Sequence, residues 1–173
     1  MAAVGPPVLQ IVGYKKSGKS TLMRKWISCC ETLGWEVGAI KHHGHGGAPS
    51  LGEEKTDSVS FFKSGATASL VEGDGVIQLL LKKKNITLDQ MIAFYQIVEP
   101  SLILIEGYKQ AAFPKVVIIR NREEWEQLQH LTNIVAIITH LPFLMNFSCP
   151  VFSYEQEEAY TEWFINYIRG EML

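Results

Sequence analysis

The sequence predicts an α/β fold, a mostly parallel sheet flanked by helices with a small β-hairpin added, and three observations carry that reading. Short β-rich runs alternate with stretches of helical period, the order that builds a sheet covered by crossover helices. Leu102 to Glu106, Val116 to Ile119 and Ile134 to Ile138 are continuous apolar runs, as strands buried on both faces are. Gly73-Asp74-Gly75 separates two further runs, Ala68 to Glu72 and Val76 to Leu81, and folds them into a hairpin. With 173 residues, 47% of them apolar, the chain can build one ordinary domain spanning 1–173.

Each element has its local reason. Val8 to Val12 is the first strand and runs directly into a glycine loop. Lys19 to Leu33 follows as a helix, because Leu22, Met23, Trp26, Ile27 and Cys30 recur at i, i+3, i+4 spacing and Gly34 stands where a helix closes. Glu36 to Lys41 is the second strand. His42 to Lys55, rich in glycine and histidine and without periodicity, is a long loop of the kind that carries function. Thr56 to Ser64 reads as a short helix ending at Gly65. Thr87 to Val98 reads as a longer one, with Thr87 as its cap and Asp89 in its first turn, where an acid favours the helix dipole. The last helix, about Glu155 to Arg169, carries Tyr160, Trp163, Phe164, Tyr167 and Ile168 as one core stripe. Ligands of doubly wound sheets bind at the carboxyl ends of the strands. Gly13, His42, Glu106, Arg120 and His140 leave the apolar runs and mark that rim.

Composition removes several classes of function. A net charge of −2, from 16 basic and 18 acidic side chains, gives no field to recruit nucleic acid or an anionic membrane. Lys82-Lys83-Lys84 reads as a solvated turn. Cys29, Cys30 and Cys149 show no C-x-x-C spacing, and helix neighbours point about 100° apart, a poor disulfide geometry. No apolar run approaches the ~20 residues that span a bilayer. A cytoplasmic protein is the expectation.

The chemistry centres on Gly13-Tyr14-Lys15-Lys16-Ser17-Gly18-Lys19-Ser20, the G-x-x-x-x-G-K-S pattern of P-loop NTPases. Its glycines let successive N–H groups surround phosphate oxygens, and the following helix adds its positive end. Lys19 would reach the β- and γ-phosphates, Ser20 would ligate Mg²⁺, and Thr21 would donate to an inner phosphate. Lys15 and Lys16 read equally as solvated lysines or as extra charge against a phosphate. P-loop enzymes usually hold the metal shell with a strand-end aspartate, yet only Asp57, Asp74 and Asp89 exist here. Asp74 belongs to the hairpin turn and Asp89 to a helix start. That leaves Glu106, at the end of its strand, and Asp57 as the carboxylates expected around Mg²⁺ with Ser20. Gly107 would let the backbone approach a phosphate. His42, His43 and His45 make a poor zinc site, with no thiolate nearby, and fit better in a loop that closes over phosphate or an anionic substrate. No side chain stands out as a base for water, so the catalytic residues are unassigned.

Gly13 to Thr21 (GYKKSGKST), Lys41 to Gly47 (KHHGHGG), Lys55-Thr56-Asp57-Ser58, Ser64-Gly65-Ala66 and Ile105 to Lys109 (IEGYK) with Pro114-Lys115 occur in the order seen in MobB, the molybdopterin-guanine dinucleotide biosynthesis protein B. Over about residues 8 to 140 the chain resembles that family. The resemblance implies a homodimer that binds GTP with Mg²⁺ and has weak GTPase activity. It implies assistance to a MobA-type guanylyltransferase in attaching GMP to molybdopterin, with the histidine loop and Lys109 facing nucleotide or pterin. Two positions depart from relatives: Pro100-Ser101, where an acid is common, and Thr139-His140, where Thr-Asp is common. With no N-K-x-D either, guanine preference is implied by the resemblance alone. The alternative is a small metabolite kinase, which would close an arginine-bearing lid over the phosphates. Arg24, Arg120, Arg122 and Arg169 are the four arginines, and none falls in the 42–55 loop.

Overall fold

The computed structural model describes residues 5–44, 47–51, 56–141 and 147–172. In chain order its elements are β1 (Val8–Gly13), α1 (Lys19–Thr32), β2 (Val37–Lys41), α2 (Asp57–Lys63), β3 (Ala68–Gly73), β4 (Val76–Leu81) and α3 (Leu88–Ala93), which continues as a 3₁₀ turn over Phe94–Gln96. Then come β5 (Leu102–Glu106), β6 (Lys115–Ile119), α4 (Arg122–Leu128), β7 (Ile134–Thr139), β8 (Val151–Ser153) and α5 (Glu157–Glu171). Contacts divide the chain into two compact units, 1–42 with 92–173, and 43–91.

The first unit is built on a six-stranded sheet of order β2-β5-β1-β6-β7-β8, in which every ladder is parallel. β5 and β6 are buried at every position, which is why their sequences carry no alternation. Leu22, Met23, Trp26 and Cys30 of α1 and Tyr160, Phe164 and Ile168 of α5 share one core with Leu9, Ile11, Leu104 and Ile138 of the sheet. Trp26 and Phe164 stack at 4.2 Å with planes 2° apart, fixing the two helices on the same face. Val12, Val117, Ile119 and Ile137 point the other way and pack with Leu128 of α4. α1 ends as its sequence asks: Trp35 N–H donates to Cys30 O at 2.9 Å and Gly34 N–H to Glu31 O at 3.0 Å, the paired bonds of a Schellman closure. Parallel pairing brings Ile11 and Lys41 to either side of Glu106. The phosphate loop therefore leaves the middle of the sheet, beside the end of β5.

The second unit holds α2 and the β3–β4 hairpin. Gly73 pairs with Val76, and Asp74 and Gly75 between them both have positive φ, 51° and 77°. That is the two-residue turn whose twist suits a hairpin. Leu70 faces Leu79 across the ladder, Ala68 faces Leu81 and Glu72 faces Ile77. These cross-strand pairs lie on one face, which therefore carries Leu70, Ile77, Leu79 and Leu81 side by side. All four are exposed.

Differences from the sequence reading are local. The single helix expected from Thr87 to Val98 is a short α-helix and a 3₁₀ turn. Its start holds, with Thr87 Oγ1 accepting from Gln90 N–H and Gln90 Oε1 accepting from Thr87 N–H, each at 3.2 Å. Tyr95 in the 3₁₀ turn donates its hydroxyl to Ala39 O at 2.6 Å and accepts from Ala39 N–H, so docking on β2 overrides continuation of the helix. α4 and β8 were not anticipated. Residues 42–44 and 47–51 form neither helix nor strand, in keeping with the expected loop.

Candidate phosphate-binding site

β1 delivers Gly13 to the rim, and the loop to Gly18 turns back on itself with Ser17 N–H donating to Tyr14 O at 3.2 Å. Lys16 and Gly18 have φ of 62° and 94°, so the backbone reverses twice within three residues. A side chain at Gly18 would be strained by its φ, and an added β-carbon would lie 2.6 Å from the Tyr154 hydroxyl. Tyr154 in turn stacks on His140 at 4.3 Å. Ser17 Oγ is buried without a hydrogen-bond partner, a polar atom for which the fold supplies no mate. Lys15 and Lys16 are exposed, as is Thr21 in the first turn of α1.

Lys19 folds back over the loop and donates from Nζ to Tyr14 O at 2.6 Å. Burial pushes the pKa of its ammonium down. Glu106 opposes that, and the charges of Lys109, Lys41 and Arg120 push it further down. Three further cations thus act on Lys19 at this loop, a field that suits an anion. Lys109 lies over the Tyr14 ring at 3.9 Å, and Arg120 is held through its Nε by Glu124 at 2.8 Å.

The counter-charge is Glu106, only 8% exposed. Ser20 Oγ donates to its Oε2 at 2.7 Å, and Lys41 Nζ donates to its Oε1 at 2.6 Å and to Ser20 Oγ at 3.0 Å. Burial raises the carboxyl's pKa, but the bonds from Lys41 and Ser20 and the charges of Lys41 and Lys19 outweigh it, and the net shift is down. A hydroxyl and an ionised carboxylate in contact are the hard oxygen donors Mg²⁺ takes, its remaining positions being left to water and phosphate. Among the described residues no three of His, Cys, Asp and Glu form a metal-holding group, so an ion on Ser20 and Glu106 would need further oxygens from water or a ligand.

Gly107 follows Glu106 with φ 98°, and a β-carbon there would come 2.9 Å from that of His42. Its N–H already donates to Ile11 O at 3.0 Å, so Gly107 is committed within the fold, and its missing side chain makes space for His42. Gln10 Nε2 holds the turn by donating to Gly107 O at 3.0 Å and Tyr108 O at 2.9 Å. Lys115, fully buried, donates to Ala111 O, Phe113 O and Thr132 O and pins the segment after it.

The structure gathers Gly13, Ser17, Gly18, Lys19, Ser20, Glu106, Gly107 and Lys109 at one sheet edge. His42 joins them, its N–H on Glu106 O at 2.9 Å and its ring against Tyr108 at 4.5 Å. His43 and Asp57 belong to the second unit, Asp57 as the first residue of α2. His45 lies outside the described residues. Sequence reasoning marked Arg120 on the rim and quoted Lys41 and Lys115 within motifs but gave neither lysine a role, and it missed the prop Gln10. A lysine ending a strand beside Glu106 was visible only once the strand order was known.

The model of the family "Molybdopterin guanine dinucleotide synthesis protein B" (MobB) matches residues 8–140. A probable molybdopterin-guanine dinucleotide biosynthesis adapter protein of Bacillus subtilis (strain 168) is 42% identical over 139 residues, 80% of this chain and 79% of the relative. The adapter protein of Escherichia coli (strain K12) is 25% identical over 141 residues, 79% of each chain. Among solved structures, a MobB homolog from Bacillus stearothermophilus superposes with a TM-score of 0.79 at 41% identity, over 94% of this chain and 98% of that one.

Proposed function

We propose a function from one premise: the chain belongs to the MobB family, that of molybdopterin guanine dinucleotide synthesis protein B. It acts in molybdenum cofactor biosynthesis as a GTP-binding adapter, assisting a MobA-type guanylyltransferase that attaches GMP to molybdopterin. Gly13, Lys15, Lys16, Ser17, Gly18, Lys19, Ser20 and Thr21 cradle the phosphates, with Gly107 beside them. Ser20 and Glu106 would hold Mg²⁺, which would neutralise phosphate charge. His42 and Lys109 meet the nucleotide or the pterin.

The observation that carries this reading is the Ser20–Glu106 contact of 2.7 Å beside Lys19, on which the charges of Lys109, Lys41 and Arg120 also act. Hydrolysis is weak on this reading, since neither side chain is set as a base for water: Lys19 donates to Tyr14 O, and Glu106 accepts from Ser20 and Lys41. Arg120, whose charge acts on Lys19, is tied to Glu124 rather than placed as a lid, which disfavours the kinase alternative. No described helix is long and apolar enough to cross a membrane, in keeping with work in the cytoplasm. The exposed apolar face of the hairpin supports a homodimer.

Calorimetric titration tests the reading. Wild-type protein with Mg²⁺ is expected to bind GTP more tightly than ATP, and Lys19→Ala to lose at least about a hundredfold in affinity for either, the worth of one desolvated charge contact to phosphate. GTP affinity unchanged by Lys19→Ala sinks the phosphate-loop assignment, and equal affinity for ATP sinks the guanine preference.

A further inference from the structure

We propose that Lys41 is a tethered cation standing in for Mg²⁺ on Ser20 and Glu106, so that metal enters the site only by displacing it. The inference rests on the reading of Ser20 and Glu106 as the metal pair. The geometry is a closed triangle: Ser20 Oγ to Glu106 Oε2 at 2.7 Å, Lys41 Nζ to Glu106 Oε1 at 2.6 Å, and Lys41 Nζ to Ser20 Oγ at 3.0 Å. One ammonium therefore donates to both groups whose lone pairs a metal would need. The lone pairs that face Lys41 are taken, and an ammonium and Mg²⁺ on one carboxylate would repel at contact distance.

The strands fix this arrangement. Lys41 ends β2 in register with Glu106, which ends β5. Lys41's side chain is 58% exposed while that of Glu106 is 10% exposed, so the acid is the fixed half of the pair and the lysine the movable one. Its flexible stem lets the head swing into water without disturbing the sheet. Displaced, the ammonium stays on the rim where Lys19, Lys109 and Arg120 already gather. There it meets a phosphate's charge instead of a carboxylate's.

Two consequences follow. Without nucleotide, Glu106 is neutralised and Ser20 oriented by a group the chain carries itself, so the oxygens are set before any metal arrives. Mg²⁺ alone competes poorly with a tethered charge, whereas a triphosphate contributes both further oxygens and a destination for the released ammonium. Metal and nucleotide should therefore enter together, not metal first.

Mn²⁺ binding to nucleotide-free protein, read by electron paramagnetic resonance, separates this role from a merely structural one. Lys41→Met, at an exposed position and with its fold checked by circular dichroism, is expected to bind Mn²⁺ about tenfold more tightly than wild type once the competing charge is gone. Lys41→Arg, which keeps the charge, stays as weak as wild type. Adding Glu106→Gln to Lys41→Met removes the gain. Equal or weaker Mn²⁺ binding by Lys41→Met, including no measurable binding by either protein, overturns the proposal. A parallel GTP titration of wild type reports on the underlying function separately: loss of GTP binding beside the expected Mn²⁺ pattern rejects the nucleotide and leaves the cation exchange standing.

Discussion

At the scale of single residues, the site is a balance of one acid against several bases. Glu106 is buried, which alone would raise its pKa, and it remains a carboxylate because Ser20 and Lys41 donate to it and Lys19 adds its field. The sign of its effect on stability follows. A carboxyl whose folded pKa lies below its unfolded value of about 4.3 stabilises the fold fully above that value and loses the contribution as pH falls through the lowered one. Glu106→Gln should cost about 1 kcal/mol at pH 7, the net worth of a few part-buried polar contacts. In urea unfolding the gap between wild type and variant should close as pH is taken below the ordinary carboxylate range. A gap independent of pH means the carboxylate's charge is not what the contacts hold. The same variant should weaken GTP binding in Mg²⁺ by about tenfold or more and leave binding in EDTA nearly unchanged. Equal losses in both conditions remove Glu106 from the metal shell.

At the scale of elements, legibility tracked how strongly a segment's own residues decide its conformation. α1 could be read from both ends, since its apolar spacing, Gly34 and the preceding glycine loop all agree with the Schellman closure observed. The Asp74-Gly75 turn and the Thr87–Gln90 box were equally local. α4 has seven residues, too few to show a helical period, though Asn121 three before Glu124 is a capping pair, the side chain accepting from Glu124 N–H at 2.9 Å. β8 has three residues, all half-buried, and exists through its pairing with β7. The aromatic stripe of α5 was legible as core, but its partner was not. Trp26 emerged only when α1 and α5 came to lie on one face. Phe164→Ala should therefore cost about 3–5 kcal/mol, as large core truncations do. Trp26→Ala in the same background should add less than its cost alone, because the two rings are one contact. Additive losses in chemical denaturation contradict a shared stack.

At the scale of the whole molecule, the motifs announced the family, yet the charge balance around the phosphate loop depended on strand order that no motif states. Lys41 and Ser20 stand 21 residues apart, and Glu106 a further 65 from Lys41, and only parallel pairing of β2 with β5 makes them one cluster. Self-association is also a property of the whole, and the hairpin argues for it most directly. Leu70, Ile77, Leu79 and Leu81 share one face and are 60%, 63%, 44% and 38% exposed. Contiguous apolar faces of this kind on a small antiparallel ribbon are usually covered by a partner, and two strands alone make a marginal sheet. A second copy of the chain is the expected partner. Leu70→Lys with Ile77→Lys should then convert a dimer to a monomer in sedimentation equilibrium. Ile77→Lys places its ammonium opposite Glu72, a favourable cross-strand pair that keeps the hairpin formed. GTP binding should survive, because the phosphate loop and Glu106 belong to the other compact unit. A variant that remains dimeric moves the interface elsewhere, and a wild type already monomeric at micromolar concentration removes the homodimer from the proposal.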